Sequence, residues 1–139
     1  MKYIISLSLL TFFLSSAMIQ KNTITKHQPS VYQPDSGKII YETYCLACHQ
    51  EDGSGVPNMN PPLIKTDWVL GDSARLINVI LKGLKNTEIN GDSYSNEMPS
   101  HDFLTDYQIA EVLTYVRKSF GNQAGPISSE DVKKQRAKK

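Results

Sequence analysis

The sequence has little of what marks several large classes of protein. Its 139 residues include 15 Lys and Arg against 14 Asp and Glu, and the basic side chains form no stripe. A nucleic-acid-binding domain needs such a stripe, so we expect no nucleic-acid partner. Cysteine occurs only twice and tryptophan once, and no internal repeat is visible. A chain of this length supports one modest domain without a second hydrophobic core.

Long apolar runs are absent except near the N-terminus. Lys2 precedes an apolar segment over residues 4–14, and Ser15-Ser16-Ala17 then supplies the small residues that a signal peptidase accepts. The run is short for a bilayer span, although an uncleaved membrane anchor is the alternative. We therefore expect residues 1–17 to be a signal peptide cleaved after Ala17. The mature protein would then be periplasmic or otherwise exported, with no stable membrane span.

The two cysteines stand three apart and are followed by histidine, in the order Cys45, Cys48, His49. Cys-x-x-Cys-His is the pattern of covalent haem attachment. Thiols three apart on a helical turn reach the two vinyl groups at one haem edge, and the next residue presents its imidazole to the iron. The alternatives are a disulfide, which an exported protein permits, a redox-active dithiol, which needs a βαβ context, and a zinc site, which needs four ligands. The helical and loop surroundings and the export signal favour haem.

Capping and turn residues predict the helices between which this motif lies. Residues 18–34 are polar and contain two prolines, so we expect a flexible leader, with a helix beginning at Pro34-Asp35-Ser36. Gly71-Asp72-Ser73 predicts the start of a second helix. Thr105 and Gln108 form a capping box for a last helix that ends at Gly121.

Two further segments give predictions about local structure. Asn90-Gly91 lies between strand-tolerant residues and predicts a small β-hairpin with a type I′ turn near 88–95. Residues 122–139 hold five basic and two acidic side chains and have no apolar periodicity, so they predict a basic flexible tail. Deletion of residues 126–139 would then leave the thermal midpoint nearly unchanged.

Several motifs in fixed order make residues 35–120 resemble a mono-haem class I cytochrome c. They are Gly37-x3-Tyr41-x3-Cys45 on the first helix, Pro61-Pro62-Leu63, Met98-Pro99, and Val112 with Tyr115 on the last helix. The likeness is strongest to the small cytochrome domains found with periplasmic dehydrogenases and copper nitrite reductases. Motifs that cover about 85 residues in order are more specific than any one of them.

The resemblance implies an all-α class I cytochrome c fold over residues 35–121, with three main helices around one covalently bound haem c and its iron. It implies His49 and Met98 as the axial ligands. The Pro61 carbonyl would accept a hydrogen bond from the His49 imidazole, with Leu63 on the same side of the haem. His/Met ligation gives a six-coordinate iron and a raised potential, as single-electron transfer requires. The partners would be redox proteins such as a dehydrogenase, a reductase or a terminal oxidase.

Other side chains near these motifs are candidates for further roles. Trp68 and Arg75 are candidates for donors to the haem propionates, the alternatives being a core residue and a helix-face charge. We expect Met59 to line the pocket and His101 to be a surface histidine, although His101 is an alternative sixth ligand. Because no nucleophile or substrate pocket is indicated, we expect a carrier and no enzyme.

Two other functions are compatible with the same motifs. The protein is either a free shuttle or the dedicated electron-acceptor subunit of one periplasmic oxidoreductase. A haem with an open or labile sixth position would instead support peroxidase or gas-sensing activity.

Overall fold

The computed structural model describes residues 34–138. The signal peptide predicted for residues 1–17 lies outside this range, as does all of the predicted leader except its last residue. Within residues 34–138, no helix is long and apolar enough to cross a membrane.

The described part of the chain is helical, and its main helices begin where the sequence predicts. The elements are α1 (Pro34–Tyr44), α2 (Leu46–His49), α3 (Asp67–Leu70), α4 (Ser73–Lys82), α5 (Asp106–Lys118) and α6 (Ser129–Arg136). Asp72 caps α4 by accepting from the Ala74 amide, and Thr105 and Gln108 form the predicted capping box of α5. The three main helices are therefore α1, α4 and α5. Helix α5 ends at Lys118, slightly before the predicted stop at Gly121.

The first and last main helices cross in close contact at Gly37. A Cβ atom there would lie 2.4 Å from the backbone oxygen of Glu111 and 2.8 Å from Cβ of Tyr115, so the backbones can approach only because Gly37 has no side chain. One turn later, the buried Tyr41 ring lies 5.5 Å from the Tyr115 ring and 5.3 Å from the Phe120 ring. Motif residues of the first and last main helices therefore pack against each other.

The turn predicted at Asn90-Gly91 is present, but it is very small. Asn90 and Gly91 have φ values of 56° and 87°, as a type I′ turn requires. The amides of Ile89 and Asp92 each donate to the other residue's carbonyl, at 2.9 and 3.1 Å. This pair is a single bridge, and no longer strand extends from it within residues 34–138.

The prediction of a flexible tail over residues 122–139 is wrong for the described residues. Helix α6 packs against α4 and α5, where the Val132 side chain is fully buried and Ile127 is 5 % exposed. The Thr114 hydroxyl donates to the Ile127 carbonyl at 3.2 Å and accepts from the Ile127 amide at 3.0 Å. The folded unit therefore continues beyond the predicted boundary at residue 121.

This docking escapes a search for apolar periodicity because few apolar side chains carry it. Helix α6 has one buried residue, Val132, and its other apolar anchor, Ile127, lies before the helix. A local signal does exist, since Ser128 and Asp131 form a reciprocal capping box. That motif marks the start of a helix, but it does not reveal whether the helix packs on the domain.

We expect Val132→Ala to lower the free energy of unfolding by about 1–3 kcal/mol, because it removes two buried methyl groups and leaves a cavity. Chemical denaturation of the haem-loaded protein measures the change. Lys133→Ala, at an exposed position on the same helix, is the matched control and should change stability by no more than about 0.5 kcal/mol. Equal stability of the Val132 variant and the parent would contradict the docking of α6.

Candidate functional site

One crevice brings together most of the residues that the sequence singles out. Six residues line both of its adjoining parts: Cys45, His49, Pro61, Leu84, Ile89 and Met98. Towards the mouth lie Tyr44, Cys48 and His101. The deep part is apolar and includes Leu63, Trp68, Ile80 and Leu113. The crevice therefore combines an apolar slot with two thiols, an imidazole and a thioether.

The His49 imidazole is held by a single well-defined hydrogen bond. The residue is 9 % exposed, at the end of α2, and its Nδ1 lies 3.0 Å from the Pro61 carbonyl oxygen. Because a carbonyl oxygen can only accept, Nδ1 carries the proton and Nε2 is the atom free to bind a metal. Burial lowers the pKa of His49 and the Pro61 bond opposes this shift. The neutral imidazole is the form that binds iron.

The two thiols do not fit a redox-active dithiol. Cys45 is partly buried and Cys48 is exposed, and both are free. Burial, with a further contribution from Cys48, raises the pKa of Cys45 to about 11, whereas a reactive thiol needs a lowered pKa. A zinc site also lacks support, since no three His, Cys, Asp or Glu side chains within the described range could hold a metal ion. Of the four uses of the motif, haem attachment fits its surroundings best.

A buried asparagine that the sequence analysis missed fixes the segment carrying Pro61. The Asn122 side chain donates to the carbonyls of Leu63 and Val116, at 3.0 and 2.8 Å, and accepts from the Lys65 amide at 2.7 Å. The backbone amide of the same Leu63 donates to the Gly53 carbonyl at 2.8 Å. These bonds fix the chain two to four residues after Pro61, the acceptor for His49. No sequence pattern marks Asn122, because all its partners are backbone groups.

Met98 is fixed across the crevice by the chain that leaves α4. The backbone groups of Leu84 and Met98 exchange two hydrogen bonds, at 2.9 and 2.8 Å. Gly83 makes this approach possible, since its φ is +74° and a Cβ there would lie 2.5 Å from the Met98 carbonyl oxygen. Two further bonds follow, from Ser100 Oγ to the Leu81 carbonyl and from the His101 amide to the Ile80 carbonyl, each at 2.8 Å.

Met59 and His101, the other two side chains considered for this site, lie outside the crevice and at its mouth. Met59 is 45 % exposed and is absent from the crevice lining, so the expectation that it lines the pocket is wrong. His101 is half-buried at the mouth, and its Nδ1 donates to the Pro99 carbonyl at 3.0 Å. Its ring stacks at an angle near Phe103, with centroids 5.7 Å apart.

Trp68 and Arg75 form one unit beside the deep part of the crevice. The Arg75 guanidinium lies 4.4 Å from the centre of the Trp68 ring and donates to the Asp67 carbonyl at 2.7 Å. Its Nε is buried and has no acceptor within the described residues. A buried donor without a partner is costly, so this N–H suits an added acceptor such as a haem carboxylate. The residues present therefore fit a haem with respect to ligands, apolar lining and a donor.

Arg117 is a second residue that the sequence analysis missed. Its guanidinium donates to the carbonyls of Val69, Gly71 and Gly125, at 2.7, 3.2 and 2.8 Å. It thus fixes the end of α3, which carries Trp68. Burial lowers the pKa of Arg117.

Comparisons with known proteins show the family to which the chain belongs. A cytochrome c family model matches residues 34–120. Cytochrome c-552 of Thermus thermophilus is 36 % identical over 117 residues, which cover 77 % of this chain and 88 % of the relative. The cytochrome c subunit of alcohol dehydrogenase (quinone) from Gluconobacter oxydans is 35 % identical over 107 residues, or 75 % of this chain. The fructose dehydrogenase cytochrome subunit of Gluconobacter japonicus is 30 % identical over 131 residues.

The chain belongs to the cytochrome c family. Its helical fold is that of a class I cytochrome c, its cofactor is a covalently bound haem c, and its function is electron transfer. The matched region spans only 22 % of the Gluconobacter oxydans subunit and 26 % of the Gluconobacter japonicus subunit.

Gly83 offers a test of how the Met98 segment is positioned. We expect Gly83→Ala to cost about 2–4 kcal/mol of unfolding free energy, because the new Cβ must push the Met98 backbone away in addition to adopting a positive φ. Gly91→Ala is the matched control, since Gly91 also has a positive φ but nothing lies within 4 Å of its added Cβ. It should cost only about 1 kcal/mol. Denaturant titration of both holoproteins measures the difference, and equal costs would contradict the close approach at Gly83.

Proposed function

We propose that this protein transfers single electrons on a haem c attached through Cys45 and Cys48, with His49 and Met98 as axial ligands. The observation that carries the proposal is that both ligand residues line one crevice, with the His49 side chain and the Met98 backbone held in place. The His49 Nδ1 is committed to the Pro61 carbonyl at 3.0 Å, and the Met98 backbone is paired with Leu84.

The haem supplies a one-electron iron couple, and the chain's own residues set its environment. The Pro61 bond fixes the tautomer and orientation of His49, which favours ligation through Nε2. Met98 would supply a thioether, which stabilises the ferrous state and raises the potential. Leu63 and its apolar neighbours in the deep crevice exclude water, while Trp68 and Arg75 would donate to the propionates. Because the ligands are preorganised, little rearrangement would accompany a change of oxidation state.

We further propose that the protein works after export and exchanges electrons with a redox protein. The segment over residues 1–17 supports export, and two of the similar proteins are named as cytochrome subunits of dehydrogenases. A dehydrogenase, a reductase or a terminal oxidase is therefore the expected kind of partner. Co-purification with one such enzyme would favour a dedicated subunit, whereas recovery as a free protein would favour a shuttle.

The attachment of the haem gives one prediction. Haem should stay on the wild-type polypeptide during denaturation and acid–acetone extraction, and the mass should exceed that of the apoprotein by one haem. Cys45→Ala or Cys48→Ala should leave at most one thioether and little mature protein. Quantitative extraction of haem from the wild type would refute attachment at these two residues.

The sixth ligand gives a second prediction. The oxidised wild type should show the weak far-red band of thioether ligation, and Met98→Ala should abolish it, lower the midpoint potential and open the iron to cyanide or carbon monoxide. Absorption spectra and a redox titration measure these changes.

Met59→Leu is the matched control, because Met59 lies outside the crevice and its replacement should do none of this. His101→Ala should keep the far-red band. Ready binding of carbon monoxide by the wild-type ferrous protein at neutral pH would instead favour peroxidase or gas-sensing activity.

A further inference from the structure

One arginine at the end of α6 binds the segment that follows Met98. Arg136 Nη1 donates to the Asp102 carbonyl at 2.8 Å, and Nη2 donates to the Leu104 carbonyl at 2.7 Å. Its Nε donates to the Asp106 carboxylate at 2.7 Å. A single guanidinium thus holds three acceptors within five consecutive residues. Its planar array of donors on three nitrogens suits such a set, whereas a lysine ammonium carries all its donors on one nitrogen.

The bound segment continues directly from the proposed axial ligand. On the side nearer Met98, the chain is attached to the end of α4 through Leu84, Leu81 and Ile80. On the side further from Met98, the start of α5 follows at Asp106. Arg136 joins the stretch between these two attachments to α6. Residues 98–101 are therefore bonded to α4, and residues 102–106 are bonded to the C-terminal helix through Arg136.

The C-terminal anchor is itself firmly placed. Val132 is fully buried one turn before Arg136, and Thr114 exchanges two hydrogen bonds with the backbone of Ile127. The capping box of Ser128 and Asp131 fixes the start of the helix. Arg136 therefore acts from a docked helix, which gives its three hydrogen bonds a fixed origin.

From this geometry we infer that Arg136 is a positioning residue for Met98, so that α6 controls how often the sixth ligand leaves the iron. The inference rests on the proposed His49 and Met98 ligation. An external ligand binds a six-coordinate iron only when the methionine segment opens, so its binding rate reports the open population. Loss of the guanidinium removes the bonds that tie residues 102–106 to α6 and raises that population.

The test measures the rate at which cyanide binds to the oxidised full-length holoprotein. Arg136→Met should raise the rate about tenfold, because it removes two charge-assisted bonds to carbonyls and one ion pair. Its far-red band should disappear at a lower temperature than the wild-type band. Arg136→Lys should restore only part of the wild-type behaviour. The backbone amides of His101 and Leu104 belong to this segment and donate to the carbonyls of Ile80 and His101. Their hydrogen exchange should become faster in the Arg136→Met variant.

Two controls separate positioning from general stability and charge. Ile40→Val shortens a buried side chain on α1, which is not part of the crevice lining, and should lower stability without a change in the cyanide rate. Lys133→Met removes the same charge from an exposed position on α6 and should also leave the rate within twofold.

The outcomes of the cyanide-binding test either support or overturn the role of Arg136. A wild-type far-red band combined with a tenfold faster Arg136→Met variant and unchanged controls supports the inference. A wild-type band with a variant rate within twofold of the wild type overturns the inference alone, as does an equal rise in Ile40→Val at a matched loss of stability. Absence of the band from the wild type overturns the ligation by Met98 and this inference with it.

Discussion

The contact on which the rest of the structure depends is the crossing of α1 and α5 at Gly37. Since a Cβ atom at residue 37 would clash with the Glu111 backbone oxygen, the two helices can approach this closely only with glycine there. The crossing sets the direction of α1 and therefore where Cys45 and His49 emerge at its end. The Tyr41 hydroxyl then donates to the Gln50 carbonyl at 2.6 Å, which ties the same helix to the chain just beyond the imidazole. The steric constraint at Gly37 thus determines where the haem attachment motif lies.

The two walls of the crevice are supported in different ways. The wall carrying Pro61 is held by a side chain, because Asn122 binds backbone groups on two segments. The wall carrying Met98 is held mainly by backbone pairing with Leu84. A side chain that bonds only to backbone amides and carbonyls tolerates sequence change in the segment it holds, because every residue has those groups. Backbone pairing demands instead that the chain come close, which explains the glycine at residue 83.

The fold was predictable from the sequence where local signals and long-range motifs agree. Helix α5 has both a capping box and apolar spacing, and α1 has both a start signal and the Gly37-Tyr41-Cys45 motif, so both were expected. The convergence of Cys45, His49, Pro61 and Met98 on one crevice also follows from motif order.

The interactions that the sequence did not predict share a physical feature. Asn122, Arg117 and Arg136 all bind backbone carbonyls, which every residue possesses, so no complementary residue marks the partner. Their partners are also distant, as with Leu63, which lies 59 residues from Asn122. Helix α6 escaped because a single buried valine has no period.

The order of these parts along the chain has a consequence for biosynthesis. The two thiols and His49 precede every segment that encloses them, from Pro61 through Met98 to Asn122 and Arg136. A polypeptide that leaves the ribosome or crosses a membrane with its amino end leading therefore presents the attachment motif while the enclosing segments are still to come. The carboxyl-terminal helix can dock only after the attachment motif and the segments around it have been made.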